Sequence, residues 1–269
     1  FEDKIVAEEP VAPVKDFSDS VRLYEEIINR FPSFQYLGAV YYMLGYCLEE
    51  SGNGEKAVKV WLELIDKKIE TPYLAELYLR IGDYYFRTND LLNSQKYYET
   101  GLTYKESDLF DKILYKLAWT YYRQSKYQQA IDTFTSLILF ADEMKKKGID
   151  KGQELRKEAL QYIAISYADF EWGHVDKAID YFQKINGGSF EKEVFEQLGK
   201  YYFENNNFAQ AEKAYRFILG RHPYYENAPR IHHKLIQLYN KAREFDKATT
   251  EIEIFAKQYD SAGEWARIN

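Results

Sequence analysis

Four strings in this chain are variants of one pattern: Tyr41-Tyr42-Met43-Leu44-Gly45-Tyr46-Cys47-Leu48, Tyr78-Leu79-Arg80-Ile81-Gly82-Asp83-Tyr84-Tyr85, Leu114-Tyr115-Lys116-Leu117-Ala118-Trp119-Thr120-Tyr121 and Phe195-Glu196-Gln197-Leu198-Gly199-Lys200-Tyr201-Tyr202. They recur on a period of about 36 residues, and each is followed by a polar turn and a second apolar stripe. A period in this range indicates stacked helical pairs, in which each unit buries its apolar face only against its neighbours. The repeat therefore sets the fold before any other argument. It also points function toward surface recognition, because the repeated strings contain no catalytic cluster.

Composition narrows the partner classes. Lys and Arg (36) trail Asp and Glu (43), giving a formal net charge of −7, which argues against nucleic acid as a general ligand. No run approaches the roughly 18 apolar residues of a membrane span. Aromatic residues make up 17% of the chain and 26 of them are tyrosines. Tyrosine suits positions that are half core and half wet, which a thin helical stack offers in number. The single cysteine, Cys47, excludes an internal disulfide, and its place on an apolar stripe reads as a small buried residue. The first residue is Phe1 rather than Met, which leaves room for a targeting signal removed or never included.

Residues 1–16 read as an extended acidic lead, with Pro10 and Pro13 disfavouring helix and Glu2, Asp3, Glu8 and Glu9 supplying the charge. It is either a flexible arm or a strand-like segment that docks on its own array or on a partner. From Asp16 onward the apolar spacing is helical. A first helix capped by Asp16 or Ser18 is expected to run to about residue 29, where Phe31-Pro32 ends it. Helix pairs are then expected at 35–51 with 54–68, 72–88 with 91–104, 108–124 with 127–147, 152–171 with 175–185, 189–204 with 208–221 and 225–241 with 245–259. Turns such as Ser51-Gly52-Asn53-Gly54, Thr88-Asn89-Asp90 and Asn205-Asn206-Asn207 separate them. Connections this short force antiparallel neighbours.

The pairs share an internal register. Gly45, Gly82, Ala118, Ala164, Gly199 and Ile236 occupy one slot of the first helices, and Ala57, Ser94, Ala130, Ala178, Ala211 and Ala248 the matching slot of the second. The separation is twelve residues in five repeats and fourteen in the fourth, where the turn at Glu171-Trp172-Gly173-His174 is longer. Small side chains in both slots let the two helices approach closely. Trp61, Tyr98, Phe134, Phe182, Tyr215 and Ile252, four residues on, are expected to fill the flanks. Ile236 departs from the small-residue rule, so the last pair is expected to pack differently.

On these residues the pattern resembles the tetratricopeptide repeat, over roughly residues 17–259. The resemblance implies an all-α fold, a right-handed α-solenoid of about six stacked helix–turn–helix repeats. The spacing between the third and fourth repeats is about ten residues longer than the rest. This junction, at 142–156, is expected to hold two lengthened helices with Gly148 as a C-terminal cap. Its lysines, Lys145, Lys146 and Lys147, read as a solvated protrusion or as a basic knob for an acidic partner. The helix at 17–30 matches the second helix of a repeat, and residues 260–269, with Trp265, match the start of a further truncated one.

No chemistry-bearing motif stands out. The histidines His174, His222, His232 and His233 lack the spacing that places two metal ligands on one helical face, and no phosphate loop, nucleophile elbow or catalytic set is present. No enzyme activity, cofactor or metal is expected. In the tetratricopeptide architecture the first helices line a concave groove. The resemblance places Tyr42, Tyr46, Asp83, Phe86, Arg87, Tyr115, Trp119, Tyr122, Arg123, Ile165, Lys200 and Phe203 in it, with Glu49, Leu79, Gln161, Glu196, His233, Gln237 and Lys241 beside them. Aromatic residues and Arg are the types that supply binding hot spots, so the groove is expected to take a partner peptide or helix with apolar anchors. A subfamily that grips a C-terminal carboxylate uses Lys and Asn at positions held here by Tyr42, Tyr46, Leu79 and Asp83, so that clamp is not expected.

The strings Tyr115–Tyr122 and Glu158–Ser166, with the long junction before the second, are similar to periplasmic tetratricopeptide proteins of gliding-motility and cell-envelope machinery in delta-proteobacteria. That likeness implies a scaffold or adaptor in a bacterial envelope complex. Two other readings stand beside it: a cytosolic adaptor for a small GTPase or kinase, and a glycan-binding or enzyme-associated module. Upstream sequence separates the first two. The third requires paired carboxylates in the groove, where Asp83 and Glu49 form no evident pair.

Overall fold

A computed structural model describes residues 16–269; the expected lead over 1–15 lies outside the described residues. Among the described residues there are fourteen helices and no strand. The chain divides into two compact units, one ending at Phe110 and the other beginning at Asp111. The long junction lies inside the second.

In the first unit, α1 (Ser18–Arg30) packs on α2 (Leu37–Glu50). Helix α2 pairs closely with α3 (Gly54–Asp66), and α4 (Leu74–Arg87) with α5 (Leu91–Gly101). Their core gathers Tyr41, Leu44, Trp61, Leu64, Leu77 and Ile81, while Val21, Tyr24 and Ile28 of α1 cover one side. Asp16 works at the start of α1, where its Oδ1 accepts the Ser18 backbone N–H at 2.9 Å.

The second unit begins one residue into α6 (Phe110–Arg123) and goes on through α7 (Tyr127–Lys146), α8 (Gln153–Tyr167), α9 (Val175–Lys184), α10 (Glu191–Glu204), α11 (Phe208–Arg221), α12 (Ala228–Lys241), α13 (Phe245–Gln258) and the short α14 (Glu264–Ile268). Helices α10 and α11, and α12 and α13, form close pairs. Only one helix at the junction is lengthened: α7 has 20 residues, whereas α8 has 15, against 14 for most first helices. The chain reverses through Gly148, whose φ of 76° is left-handed, and the Ile149 N–H closes on the Met144 carbonyl at 2.9 Å.

The helix–helix register rests on a repeated turn. Seven residues after the small-residue slot, Gly52, Asn89, Ser125, Asn206 and Arg243 all have φ between 56° and 78°. The next residue then donates its N–H to the carbonyl five residues back, as Asn53 to Leu48 at 2.8 Å and Asn207 to Tyr202 at 2.8 Å. This left-handed cap reverses the chain within three residues and fixes the separation of twelve.

The fourth repeat lacks that cap. Helix α8 was expected to reach residue 171 but ends at Tyr167. Asp169 then organises the loop: its Oδ1 accepts the N–H groups of Glu171 and Trp172 at 3.1 and 2.8 Å, and its Oδ2 accepts the Tyr127 hydroxyl at 3.0 Å. As a result α8 packs on α7 and α10 and scarcely approaches α9. Phe182 turns instead onto Phe190 and Phe195, with ring centroids 5.5 and 5.6 Å away.

In the last pair Ile252, expected to fill a flank, is 50% exposed. Ile236, in the slot that holds a small residue in the other repeats, is itself buried. The core on this side is made by Tyr239, by Glu251 and by His232, which packs edge-on against the rings of Phe255 and Tyr259. Trp265 of α14 packs edge-on against Tyr259, and its indole N–H donates to the Tyr225 carbonyl at 3.1 Å.

Candidate functional site

None of the twelve residues expected in the groove is buried, although their helices are packed on the opposite side. The two units use them differently.

In the first unit most of them are engaged by neighbouring side chains outside that set. The Tyr42 hydroxyl donates to Glu76 at 2.7 Å, and its ring stacks on Tyr73 at 4.5 Å. Burial, then the Glu76 carboxylate, pushes that hydroxyl up to about 12. Arg80 bridges Glu76 and Glu49 and lies 5.2 Å from the Tyr46 ring. Arg87 reaches the same Glu49 at 3.0 Å. Asp83 accepts the Tyr98 hydroxyl at 2.5 Å. Phe86 is half-buried. Glu49, Glu76, Arg80 and Arg87 thus form a ladder tying α2 to α4.

In the second unit the expected residues build a surface. Tyr115, Trp119 and Tyr122 run down one side of α6, all half-buried. Trp119 lies 6.4 Å from Tyr115 and 5.6 Å from Tyr122, both edge-on. Tyr162 of α8, absent from the expected set, completes the cluster at 4.2 Å from Trp119 and 6.0 Å from Tyr122. Behind it the buried Phe134 stacks on Tyr162 at 5.9 Å. The Tyr115 hydroxyl donates to Glu158, and burial followed by that bond pushes it up to about 12. These contacts hold the rings against one another while each stays partly exposed. Arg123 is exposed beyond them.

The surface continues across α8, α10 and α12. Ile165, Gln161, Lys200 and Tyr201 line a small hollow of about 80 Å³. Lys200 also borders a larger one, about 350 Å³, with Glu196, Phe203, Arg230 and Lys234. Phe203 lies beneath two ammonium groups, Lys234 at 5.7 Å and Lys241 at 5.0 Å. His233 and Gln237 bond to each other at 3.0 Å. Tyr162 and Lys234 were missed for one reason. The expected set takes positions three before and one, four and five after the slot, whereas these two stand two before it, about 100° around the helix from the position three before. The same position holds Arg80 in the first unit.

Among the described residues no group of three or more His, Cys, Asp or Glu side chains gathers to hold a metal, and no helix is long and apolar enough to cross a membrane. Cys47 is buried, and burial pushes its thiol up, away from the reactive thiolate.

Models of the tetratricopeptide repeat match residues 39–67 and 113–139, 75–108, and 197–260. No curated protein matches the chain. Similar solved structures include a tetratricopeptide repeat protein from Parabacteroides merdae, 15% identical, covering 86% of this chain and 78% of that one with a TM-score of 0.41. The C-terminal part of a repeat-containing protein from Cytophaga hutchinsonii is 14% identical, with 79% and 93% covered and a TM-score of 0.41. The apo form of RapI is 13% identical, with 93% and 73% covered and a TM-score of 0.45.

Proposed function

The chain belongs to the tetratricopeptide repeat family, and from that premise we propose that it is a non-enzymatic adaptor that takes a peptide or helix of another protein on the aromatic inner face of its second unit. The family is in general a protein-interaction scaffold, and protein partners follow from the fold. The observation that carries the finer reading is the row Tyr115, Trp119 and Tyr122 with Tyr162. Four large rings pack on one another, with Phe134 behind Tyr115 and Tyr162, and all four are left partly in solvent. Rings held this way lose little freedom on binding and bring large apolar area, which is the profile of a hot spot.

A pull-down comparing the intact protein with Trp119→Ala/Tyr122→Ala tests this. The intact chain is expected to recover partners that the variant loses, with helicity unchanged by circular dichroism. Equal recovery by both overturns the reading. The likeness of Tyr115–Tyr122 and Glu158–Ser166 to periplasmic envelope proteins extends the proposal to a structural adaptor in a bacterial cell-envelope or motility complex. Fractionation of cells making the full-length protein checks the compartment, and recovery in the cytosol favours the signalling adaptor instead.

A further inference from the structure

The hollow between α10 and α12 has a charge at odds with the rest of the molecule. The chain as a whole carries −7. Yet Lys200, Arg230, Lys234 and Lys241 gather on this face around Phe203, against Glu196 and Glu204. Arg230 is neutralised by Glu196, with which it forms an ion pair. Lys200 has only a loose contact with Glu204, at 3.9 Å on its own helix. Lys234 and Lys241, one above the other on α12, meet no carboxylate among the described residues and rest on the Phe203 ring. A ring face holds an ammonium in place without cancelling its charge, so both remain available to an incoming anion.

This basic patch is continuous with the aromatic one. Gln161 and Ile165 of α8 share the small hollow with Lys200 and Tyr201 of α10, and Lys200 borders the larger hollow as well. Neighbouring helix axes lie about 9 Å apart, so two helix steps separate the patches by roughly 20 Å. An extended chain covers that in about six residues at ~3.3 Å each.

We propose that the partner segment, docked as described under the proposed function, is acidic: an apolar anchor seats on Trp119, Tyr122 and Tyr162, and side-chain carboxylates about six residues away meet Lys200, Lys234 and Lys241. The recognised groups are internal Asp and Glu side chains and need no chain terminus. Because the whole protein is acidic, long-range attraction is weak and the selectivity is local, set by these three ammonium groups.

The test pans random peptides, long enough to span both patches and displayed without a free C-terminal carboxylate, on three proteins: the intact chain, Lys234→Glu/Lys241→Glu and Trp119→Ala/Tyr122→Ala. Peptides selected on the intact chain are expected to pair an apolar or aromatic residue with a cluster of Asp or Glu. The best of them is expected to lose about tenfold in affinity on the lysine variant and to weaken as salt rises. Selected peptides without acidic enrichment, or unchanged affinity on the lysine variant, overturn the inference. If the aromatic variant alone loses binding in that case, the groove reading stands without it. If acidic peptides bind the aromatic variant as well as the intact chain, the groove reading falls. The lysine contact is then judged on the lysine variant alone. Failure to select any peptide overturns both. Both lysines are exposed, so Lys234→Gln/Lys241→Gln serves as a milder second variant, expected to show a smaller loss in the same direction.

Discussion

At the residue scale, the small-residue slot and the aromatic four residues past its partner are matched in size. Glycine faces the largest rings: a Cβ on Gly45 would meet the Trp61 Nε1 at 2.0 Å, on Gly82 the Tyr98 ring at 2.5 Å, and on Gly199 the Tyr215 ring at 2.4 Å. Alanine at Ala118 shares its repeat with the smaller Phe134. The spacing made the slot legible in the sequence. The size matching was equally visible, but its meaning was not, because only packed coordinates show that the ring lies directly over the slot. A Gly→Ala change inside a helix gains about 1 kcal/mol from propensity. Overpacking a well-filled core costs about 1–3 kcal/mol. With three ring atoms within 3.0 Å, the clash at Gly199 wins. Gly199→Ala is expected to lower stability by about 2 kcal/mol in urea unfolding, and an unchanged midpoint contradicts the packing argument. A second prediction concerns Glu212. Burial pushes its carboxyl up, but the Tyr239 hydroxyl at 2.6 Å and Arg216 at 3.0 Å more than offset this, leaving it below the usual carboxylate range. A lowered folded pKa gives stability that is complete above the unfolded value of about 4.3 and is lost as pH falls through the folded one. Glu212→Gln is therefore expected to unfold earlier than the intact chain at neutral pH, and the gap between the two to close in acid.

At the scale of the element, the turn decides which helices pair. Five repeats reverse through a left-handed residue seven positions after the slot, and in those repeats twelve residues separate the slots. The sequence betrays this at Gly52, Asn89 and Asn206, which suit positive φ, and hides it at Ser125 and Arg243, which do not. Arg243 sits at φ 62° with its side chain exposed, so Arg243→Gly relieves strain at no packing cost. A gain of about 0.5–1 kcal/mol is expected, read as a higher urea midpoint. In the fourth repeat the two additional residues were legible as a count. Their consequence was not, since a count cannot show that α8 leaves α9 for α7 and α10. Gly173 makes that loop possible: a Cβ there would stand 2.4 Å from the Tyr167 carbonyl oxygen, and backbone cannot step aside as a flexible side chain does. Gly173→Ala is expected to cost about 2–3 kcal/mol. Gly148→Ala, with open space around it, should cost only the left-handed strain of about 1 kcal/mol. Equal losses in the two variants would refute the assignment of the first to a clash.

At the scale of the whole molecule, a repeat array holds together through neighbours, so stability is local and its loss should be local too. The division into units at 110/111 was not legible, because the repeat period runs through that point unbroken and the conspicuous irregularity, the long junction, lies elsewhere. The candidate face follows the same logic. Corresponding slots in the two units carry Tyr42 and Tyr46 in one and Tyr115 and Trp119 in the other, yet the first pair is tied to Glu76 and Arg80 while the second stands on Phe134 and Tyr162. A shared register thus sets where a side chain emerges, and its neighbours decide whether it is structural or available. Gly82→Ala places its clash on Tyr98, between α4 and α5 of the first unit. Hydrogen exchange in mild urea is expected to show faster exchange in those two helices and unchanged protection in α10, α11 and α12. An equal rise in both units would mean that the chain unfolds as one cooperative body, and the nearest-neighbour account of its stability would fail.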